Sequence, residues 1–352
     1  MLPETKTLVI LSPGFPSDES DTACLPAQQQ FVQQVQESFP GMQVIVFSFH
    51  YPFRKSDYQW KNVRVISFNG SNKGGVKRLM LWYAVWRRLS SLKKQYNIIG
   101  LLSLWCTECA LIGKYFSKKH HVPHFIWILG QDAKKDNRYV SRIQPKDDEL
   151  IALSDFVADE FERNHGVRPR YVIPFGIDER LYGGHSGGRD IDVLGAGSLI
   201  PLKQYNVFVD VVAEATKVYP GIRAVICGKG PEQALLQSQV QRLGLASNIS
   251  LVGELPNEDI LKLMQRTKVF LHPSSYEGFG MVCLEALYAG AHVISFCKPM
   301  ERDIAHWHVV GTPDEMLKKM LELLDHASLG HSPIMPYSMN ETTIAAMRLF
   351  DV

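Results

Sequence analysis

At 352 residues the chain is too long for one ordinary domain and suits two of about 150 to 200 residues each. A hydrophobic content of 45% with 21% charged residues, and no low-complexity tract, excludes disordered and fibrous classes and leaves a globular protein of enzyme-like composition. The net charge of +2 hides an asymmetry of +7 over residues 1–175 against −5 over 176–352, and no nucleic-acid partner is expected.

The N-terminus carries Glu4 and only a brief apolar run, Leu8 to Leu11, before Pro13, which does not read as a secretory leader. No apolar stretch reaches the ~18 residues of a spanning helix, so the expected address is cytoplasmic. Apolar runs at Leu8–Leu11, Val44–Phe49, Val63–Phe68, Ile98–Leu104, Phe125–Leu129, Leu150–Leu153 and Tyr171–Ile173 predict a largely parallel sheet. Helices are expected between them at Pro26–Phe39, Val76–Gln95, Cys109–Lys119 and Asp155–Asn164. This alternation predicts a doubly wound domain over 1–178, with a ligand edge at the carboxyl ends of its strands: Ser12-Pro13-Gly14, Trp105 to Glu108 and Gly130-Gln131-Asp132.

Two features of this half are not absorbed by the alternation. Cys106 and Cys109 form a CxxC at a strand end, the setting of a redox pair, but cysteines at such positions are also commonly buried and inert. From Tyr58 to Thr107 no acidic residue occurs, while Lys61, Arg64, Lys73, Lys77, Arg78, Arg87, Arg88, Lys93 and Lys94 all do. A one-sided basic surface suits an anionic partner, so residues 61–94 are the expected point of peripheral contact with an anionic membrane or acceptor. Within it Leu79, Trp82, Tyr83, Trp86 and Leu89 form an apolar helical stripe, expected to pack on the domain's own core, with a bilayer as the competing partner.

Four glycines within Gly183 to Gly188 make 179–189 read as a linker. Alternation restarts over 190–335, with strands at Ile191–Leu194, Ala224–Cys227, Ile249–Val252, Val269–His272 and His292–Phe296. The helices are expected at Tyr205–Tyr219, Glu232–Leu243, Asn257–Thr267 and Gly280–Ala289. Residues 336–352 then hold an amphipathic helix after Pro336.

The most informative stretch is Pro273 to Gly290, PSSYEGFGMVCLEALYAG. It follows a strand, turns at Gly278 and Gly280, and enters a helix whose first N–H groups lack internal partners and favour an anion. Glu277 stands in the loop and Glu285 roughly one turn into the helix, so two acids flank one pocket. A glycine-broken turn alone recurs in any open α/β sheet. The run, however, resembles the donor-site signature of retaining glycosyltransferases of family four on the GT-B fold. There Glu, seven residues and Glu precede an alanine and a later glycine; here these are Glu277, Glu285, Ala286 and Gly290, with Pro273, Ser274, Gly278, Phe279 and Gly280 also in place. The resemblance implies an α/β architecture of two Rossmann-like doubly wound domains facing each other across a cleft, with a terminal helix crossing back to the first. It also implies transfer of a hexose, with retention, from a nucleotide-diphosphate sugar to a hydroxyl acceptor.

The same resemblance assigns roles. Glu277 would position a sugar hydroxyl near the anomeric centre, Glu285 would hold the ribose diol, and the N–H groups of Gly280, Met281 and Val282 would face the phosphates. In Asp190 to Lys203, DIDVLGAGSLIPLK, the lone Gly195-Ala196-Gly197 is not a dinucleotide fingerprint, because position 200 is Ile200. The family has glycine, arginine and lysine here; Gly197 and Lys203 match, and Ser198 stands at the arginine. Lys203, helix N-termini and Lys229 would then neutralise the diphosphate. Gly228-Lys229-Gly230-Pro231 matches the turn under the base or ribose, and Val252 lies where backbone faces the base. Gly14 stands where the family loop approaches the phosphates, and Asp132 lies where many members carry a histidine near the transferred sugar. No residue cluster has metal-ligand spacing, and no cofactor beyond the sugar nucleotide is expected. Two other classes stay open: a non-catalytic sugar-nucleotide-binding subunit, favoured by Ser198, and a nucleotide-dependent oxidoreductase, opposed by Ile200.

Overall fold

The structure is a computed structural model that describes residues 5–183, 187–326 and 329–352. It divides into two compact units, residues 1–175 with 339–352, and residues 176–338. The divisions fall at Phe175/Gly176 and Ser338/Met339, so the segment 179–189 read as a linker belongs to the second unit, and its residues 184–186 lie outside those described.

In the first unit β1 (Lys6–Gly14) is buried along nearly its whole length, as a strand covered on both faces must be. The chain then runs through α1 (Pro26–Ser38), β2 (Met42–Tyr51), β3 (Lys55–Trp60), β4 (Val63–Phe68), α2 (Val76–Lys93) and β5 (Asn97–Leu104). It continues through α3 (Glu108–His120), β6 (His124–Ile128), α4 (Arg138–Ile143), β7 (Leu150–Ala152), α5 (Asp155–His165) and β8 (Tyr171–Val172). The eight strands order as β3-β4-β2-β1-β5-β6-β7-β8, and every neighbouring pair is parallel except β3 with β4. Those two form a hairpin closed by Lys61 and Asn62, both at positive φ (44° and 65°), as a two-residue turn with right-handed strand twist needs. Strand order reverses between β1 and β5, which places a switch point where Gly14 and the Trp105–Glu108 loop emerge.

The apolar stripe expected on α2 is corrected. Of the five expected residues Leu89 is buried and Trp82 and Trp86 pack half-buried against the core beside Leu81, Val85 and Leu92, whereas Leu79 and Tyr83 face solvent, because the sequence is apolar on more than one side and periodicity alone did not choose the face. The terminal helix α11 (Met339–Arg348) belongs to this unit. Thr342 Oγ1 donates to the Pro174 carbonyl at 2.7 Å, and the Phe350 ring stands edge-on to Phe125 at 5.1 Å. Gly100 is a glycine for this reason: a Cβ there would lie 2.2 Å from the Phe350 ring.

The second unit repeats the plan with β9 (Ile191–Ala196), α6 (Tyr205–Ala215), β10 (Ala224–Cys227), α7 (Gln233–Arg242), β11 (Ile249–Gly253) and α8 (Asn257–Gln265). After these come β12 (Thr267–His272), α9 (Met281–Tyr288), β13 (His292–Ser295), β14 (Trp307–Val309) and α10 (Pro313–Asp325). All six strands are parallel in the order β11-β10-β9-β12-β13-β14, so order reverses between β9 and β12. The helix α10, which the sequence pattern did not single out, starts at Thr312, whose hydroxyl accepts from the Glu315 N–H at 3.2 Å. It buries Met316, Met320 and Leu323 at the i, i+4, i+7 spacing of one helical face.

Candidate functional site

The β9/β12 switch point of the second unit gathers most of the predicted residues. After β9 the chain makes a single 3-10 turn, Pro201–Lys203, and after β12 it forms the loop Pro273 to Gly280. The Leu202 carbonyl fastens the two together, accepting the Ser275 N–H at 3.0 Å and the Ser274 hydroxyl at 3.2 Å. That link fixes Lys203 beside Glu277. The Lys203 ammonium donates to Glu277 Oε1, and His272 Nε2, at the buried end of β12, lies 2.8 Å from the same oxygen. An ionised carboxylate only accepts, so Nε2 carries the proton. Burial pushes the Glu277 carboxyl up, but the His272 ring and the Lys203 ammonium outweigh it and hold the group at about 2. Glu277 is therefore a carboxylate at any working pH, with Oε2 making no hydrogen bond to a described residue.

The helix α9 begins at Gly280, whose φ of 83° is a left-handed value that favours glycine, and no side chain caps its start. Its first residues, Met281 and Val282, are half-buried at this uncapped end. Glu285 lies further along the helix, half-buried. Burial pushes its carboxyl up to about 7, against the pull of a hydrogen bond with the Asn257 side chain at the start of α8. The two acids thus differ in character: one is fixed as an anion, the other titrates near neutrality. Gly278 lies in the same loop, and the Phe279 side chain beside it turns inward. It is 1% exposed and stacks edge-on against Trp307 at 6.2 Å and Tyr337 at 5.7 Å, anchoring the loop to the unit's core.

The glycine turns at this edge have a packing cause of their own. A Cβ on Gly228 would stand 1.9 Å from the Gly197 carbonyl oxygen, and one on Gly230 would stand 2.2 Å from the Leu199 carbonyl oxygen. Leu199 N–H donates to the Lys229 carbonyl at 3.0 Å, so the loops after β9 and β10 run against each other backbone to backbone. Gly197, at φ 151°, has the buried Tyr205 hydroxyl beneath it. Ser198 and Lys229 are exposed at the surface of these loops, and Val252 is exposed on the edge strand β11.

The first-unit candidates behave differently. Gly14 closes β1 with its nearest Cβ contact at an ordinary 3.5 Å, to Tyr51. Asp132, placed by the resemblance near the transferred sugar, is committed to the loop backbone. It is 5% exposed and accepts N–H bonds from Cys106 at 2.7 Å, Gly130 at 2.9 Å and Leu129 at 3.0 Å. Burial pushes its carboxyl up to about 6 in spite of those donors. Cys106 and Cys109 are buried free thiols whose pKa values burial drives well up, the opposite of a reactive thiolate. At the end of β2, His50 Nδ1 accepts the Asn72 N–H and Nε2 lies 2.9 Å from Glu108 Oε1, while the Trp82 indole donates to Glu108 Oε2 at 2.5 Å.

Sequence reasoning missed His272, Asn257 and Tyr205. A polar residue closing the apolar run KVFLH was the available signal for His272; nothing local pointed from Asn257 to Glu285. Among the described residues no group of three or more His, Cys, Asp or Glu is placed to hold a metal ion.

The family model described as "Glycosyl transferases group 1" matches residues 185–329, and that described as "Glycosyltransferase Family 4" matches residues 33–181. A phosphatidylinositol N-acetylglucosaminyltransferase component of Schizosaccharomyces pombe is 26% identical over 140 residues, 35% of this chain and 29% of that protein. A glycogen synthase of Mycobacterium tuberculosis is 26% identical over 177 residues, 49% of this chain and 43% of that protein. The chain thus spans less than half the length of these curated relatives. Among solved structures, Anabaena HepE in complex with UDP and glucose is 18% identical with a TM-score of 0.68, covering 99% of this chain and 96% of that one. WaaG, a glycosyltransferase involved in lipopolysaccharide biosynthesis, is 16% identical with a TM-score of 0.64, covering 99% and 95%. At such identities the likeness carries the fold, which is GT-B. With one family model on each unit and the fold in agreement, the chain belongs to the family-four-type glycosyltransferases.

Proposed function

We propose that the chain is a retaining glycosyltransferase that moves a hexose from a nucleoside diphosphate sugar to a hydroxyl acceptor. The observation that carries this reading is the Lys203–Glu277–His272 set beside the uncapped start of α9, with Glu285 further along that helix. A diphosphate leaving group develops negative charge as the glycosidic bond breaks; the Lys203 ammonium and the N–H groups of Gly280, Met281 and Val282 are the donors to meet it. The cation is half-committed to Glu277, which orients it without removing its other two N–H bonds. The second oxygen of Glu277 accepts a hydroxyl of the transferred sugar, and Glu285 accepts the ribose diol. Since these groups meet the leaving-group charge, the reading needs no divalent ion, and transfer in excess chelator tests that. The acceptor is anionic or lipid-linked, a glycan or a small molecule, and residues 61–94 are its route to an anionic membrane.

The test is nucleotide release from a panel of nucleoside diphosphate sugars, with and without hydroxyl acceptors. Turnover that Glu277→Gln abolishes supports the reading; no turnover with any donor, while nucleotide still binds, favours a non-catalytic sugar-nucleotide-binding subunit. That second reading has its own support in Ser198, an exposed hydroxyl where the family carries arginine.

A further inference from the structure

Tyr205 opens α6 directly after the turn that carries Lys203, with Gln204, at φ 50°, between them. The helix buries Tyr205, Phe208, Val209 and Val212, the i, i+3, i+4, i+7 face of a core helix, so the ring sits where periodicity puts an apolar side chain. It packs on β9, where a Cβ on Gly195 would stand 2.9 Å from a ring carbon, and it lies 6.4 Å from the Phe208 ring. A phenylalanine would fill this position equally well. The hydroxyl therefore needs a reason of its own, because a buried polar group without a partner destabilises the fold.

Tyr205 is 1% exposed, and its oxygen hydrogen-bonds to no described residue. Nor is that oxygen sealed in. Among the described residues of this unit, the buried side-chain atoms shut off from solvent without a partner are Glu232 Oε2 and His306 Nδ1. The Tyr205 oxygen is thus reachable from outside the core, and it points to the edge that carries Lys203 and Glu277. A Cβ on Gly197, just past the carboxyl end of β9, would lie 3.1 Å from this oxygen and 3.9 Å from Lys203 Cε, so the phenol and the lysine stem flank one spot. Burial, with the charge of Glu277 adding to it, drives the phenol's pKa up, which keeps the group a hydrogen-bond donor at any working pH.

We propose that the Tyr205 hydroxyl donates to the diphosphate of the sugar nucleotide beside Lys203, and makes up for the cation that Ser198 does not supply. This rests on the reading of the edge as a sugar-nucleotide site and adds a residue to it. As the bond from the anomeric carbon to the diphosphate breaks, its electron pair stays on the phosphate oxygen. The phenol O–H then strengthens its hydrogen bond to the diphosphate without giving up its proton. The hydroxyl left unpaired in the free protein is satisfied by the ligand, so a destabilising feature of the empty site becomes affinity in the filled one.

The experiment is isothermal titration of the full chain with uridine and guanosine diphosphates, and with uridine and guanosine themselves. The variants are Tyr205→Phe, Tyr205→Phe with Ser198→Arg, and Tyr219→Phe as a control tyrosine beyond the far end of α6, whose hydroxyl bonds to Asp325 at 3.0 Å. Tyr205→Phe should weaken the diphosphate that wild type binds by roughly tenfold to a hundredfold, the value of a hydrogen bond to a charged group, and leave the nucleoside unchanged. Its thermal midpoint without ligand should hold or rise, since an unpaired polar atom has gone; a hydroxyl that served only the fold would lower it. Adding Ser198→Arg should restore diphosphate affinity, and Tyr219→Phe should match wild type. Equal diphosphate affinity in wild type and Tyr205→Phe overturns the proposal and leaves the sugar-nucleotide reading standing. So does equal weakening of diphosphate and nucleoside, which would mean a shifted loop, or no gain from Ser198→Arg, or a loss in Tyr219→Phe as large as in Tyr205→Phe. Wild type that binds neither diphosphate overturns this proposal and the sugar-nucleotide reading together.

Discussion

The two units share the order of their central parallel strands, to which the first adds the antiparallel β3 at one edge and β8 at the other, but they differ in what their switch points do with charge. At the first unit's edge the carboxylates are spent internally: Asp132 on three backbone N–H groups and Glu108 on His50 and Trp82. At the second unit's edge Lys203 and His272 share a single oxygen of Glu277, and its other oxygen makes no hydrogen bond to a described residue. The glycines divide in the same way, for Gly14 closes a strand with room to spare, whereas Gly228 lets two loops touch through their backbones. A shared central strand order therefore does not make equivalent sites; the difference lies in which polar groups have valence left after the loops have closed.

That contrast can be broken most directly in turnover. Lys203→Ala removes a cation from the leaving-group site and should cost about 10²- to 10³-fold in kcat, the range for losing one transition-state donor; Glu277→Gln should act through kcat with nucleotide affinity largely kept. Asp132→Asn should instead leave kcat of the folded fraction unchanged while lowering stability by about 1–3 kcal/mol, because an amide nitrogen would face N–H donors. Steady-state kinetics with a denaturant titration on each variant measures both, and a kcat loss in Asp132→Asn matching that of Lys203→Ala would erase the distinction between the edges.

Next in size is a contrast between glycines. Gly228→Ala drives a Cβ into the Gly197 carbonyl at a φ of 150° and should cost at least about 1–3 kcal/mol of stability, whereas Gly14→Ala should fall within about 1 kcal/mol of wild type. Thermal midpoints of the two variants decide this.

Glu285 gives a smaller, pH-dependent effect. Burial raises its carboxyl from 4.5 to about 7, so the folded state holds a proton that the unfolded state has released, and stability should decline as pH rises from 4.5 toward 7 and then level off. Glu285→Gln should abolish that decline and stabilise the unliganded protein at pH 8 by up to about 3 kcal/mol. Nucleotide affinity should move the opposite way, strengthening as pH rises through 7 because the ionised acid accepts from the ribose diol, and weakening in Glu285→Gln. Denaturation and titration calorimetry across this range check both signs.

Most parallel strands were legible because each is an apolar run bounded by turn residues; the three-residue β14, WHV, was too short and too polar to be singled out. The edge strand β3, KSDYQW, was not legible either, since only a strand half open to water can be so polar, and it reads locally as a loop. On α2 the apolar residues cover two sides, and which side is buried is decided by the sheet it meets, not by its own period. At the site, the spacing of Glu277, Glu285 and Lys203 was readable along the chain. What Asp132 does was not: an acid just after a strand reads as available until the loop backbone closes on it. Nor was the place of Phe279, a residue of the glycine-broken loop after β12 whose side chain turns into the core.

The most direct test of the second unit's edge as a sugar-nucleotide site is isothermal titration of the purified chain with uridine and guanosine diphosphates, repeated on Glu285→Gln. One diphosphate should bind at a single site, stabilising the protein by about 2.7 kcal/mol at a hundred times its dissociation constant, and Glu285→Gln should weaken that binding. No heat and no stabilisation from either nucleotide, or equal binding by wild type and Glu285→Gln, would contradict the assignment.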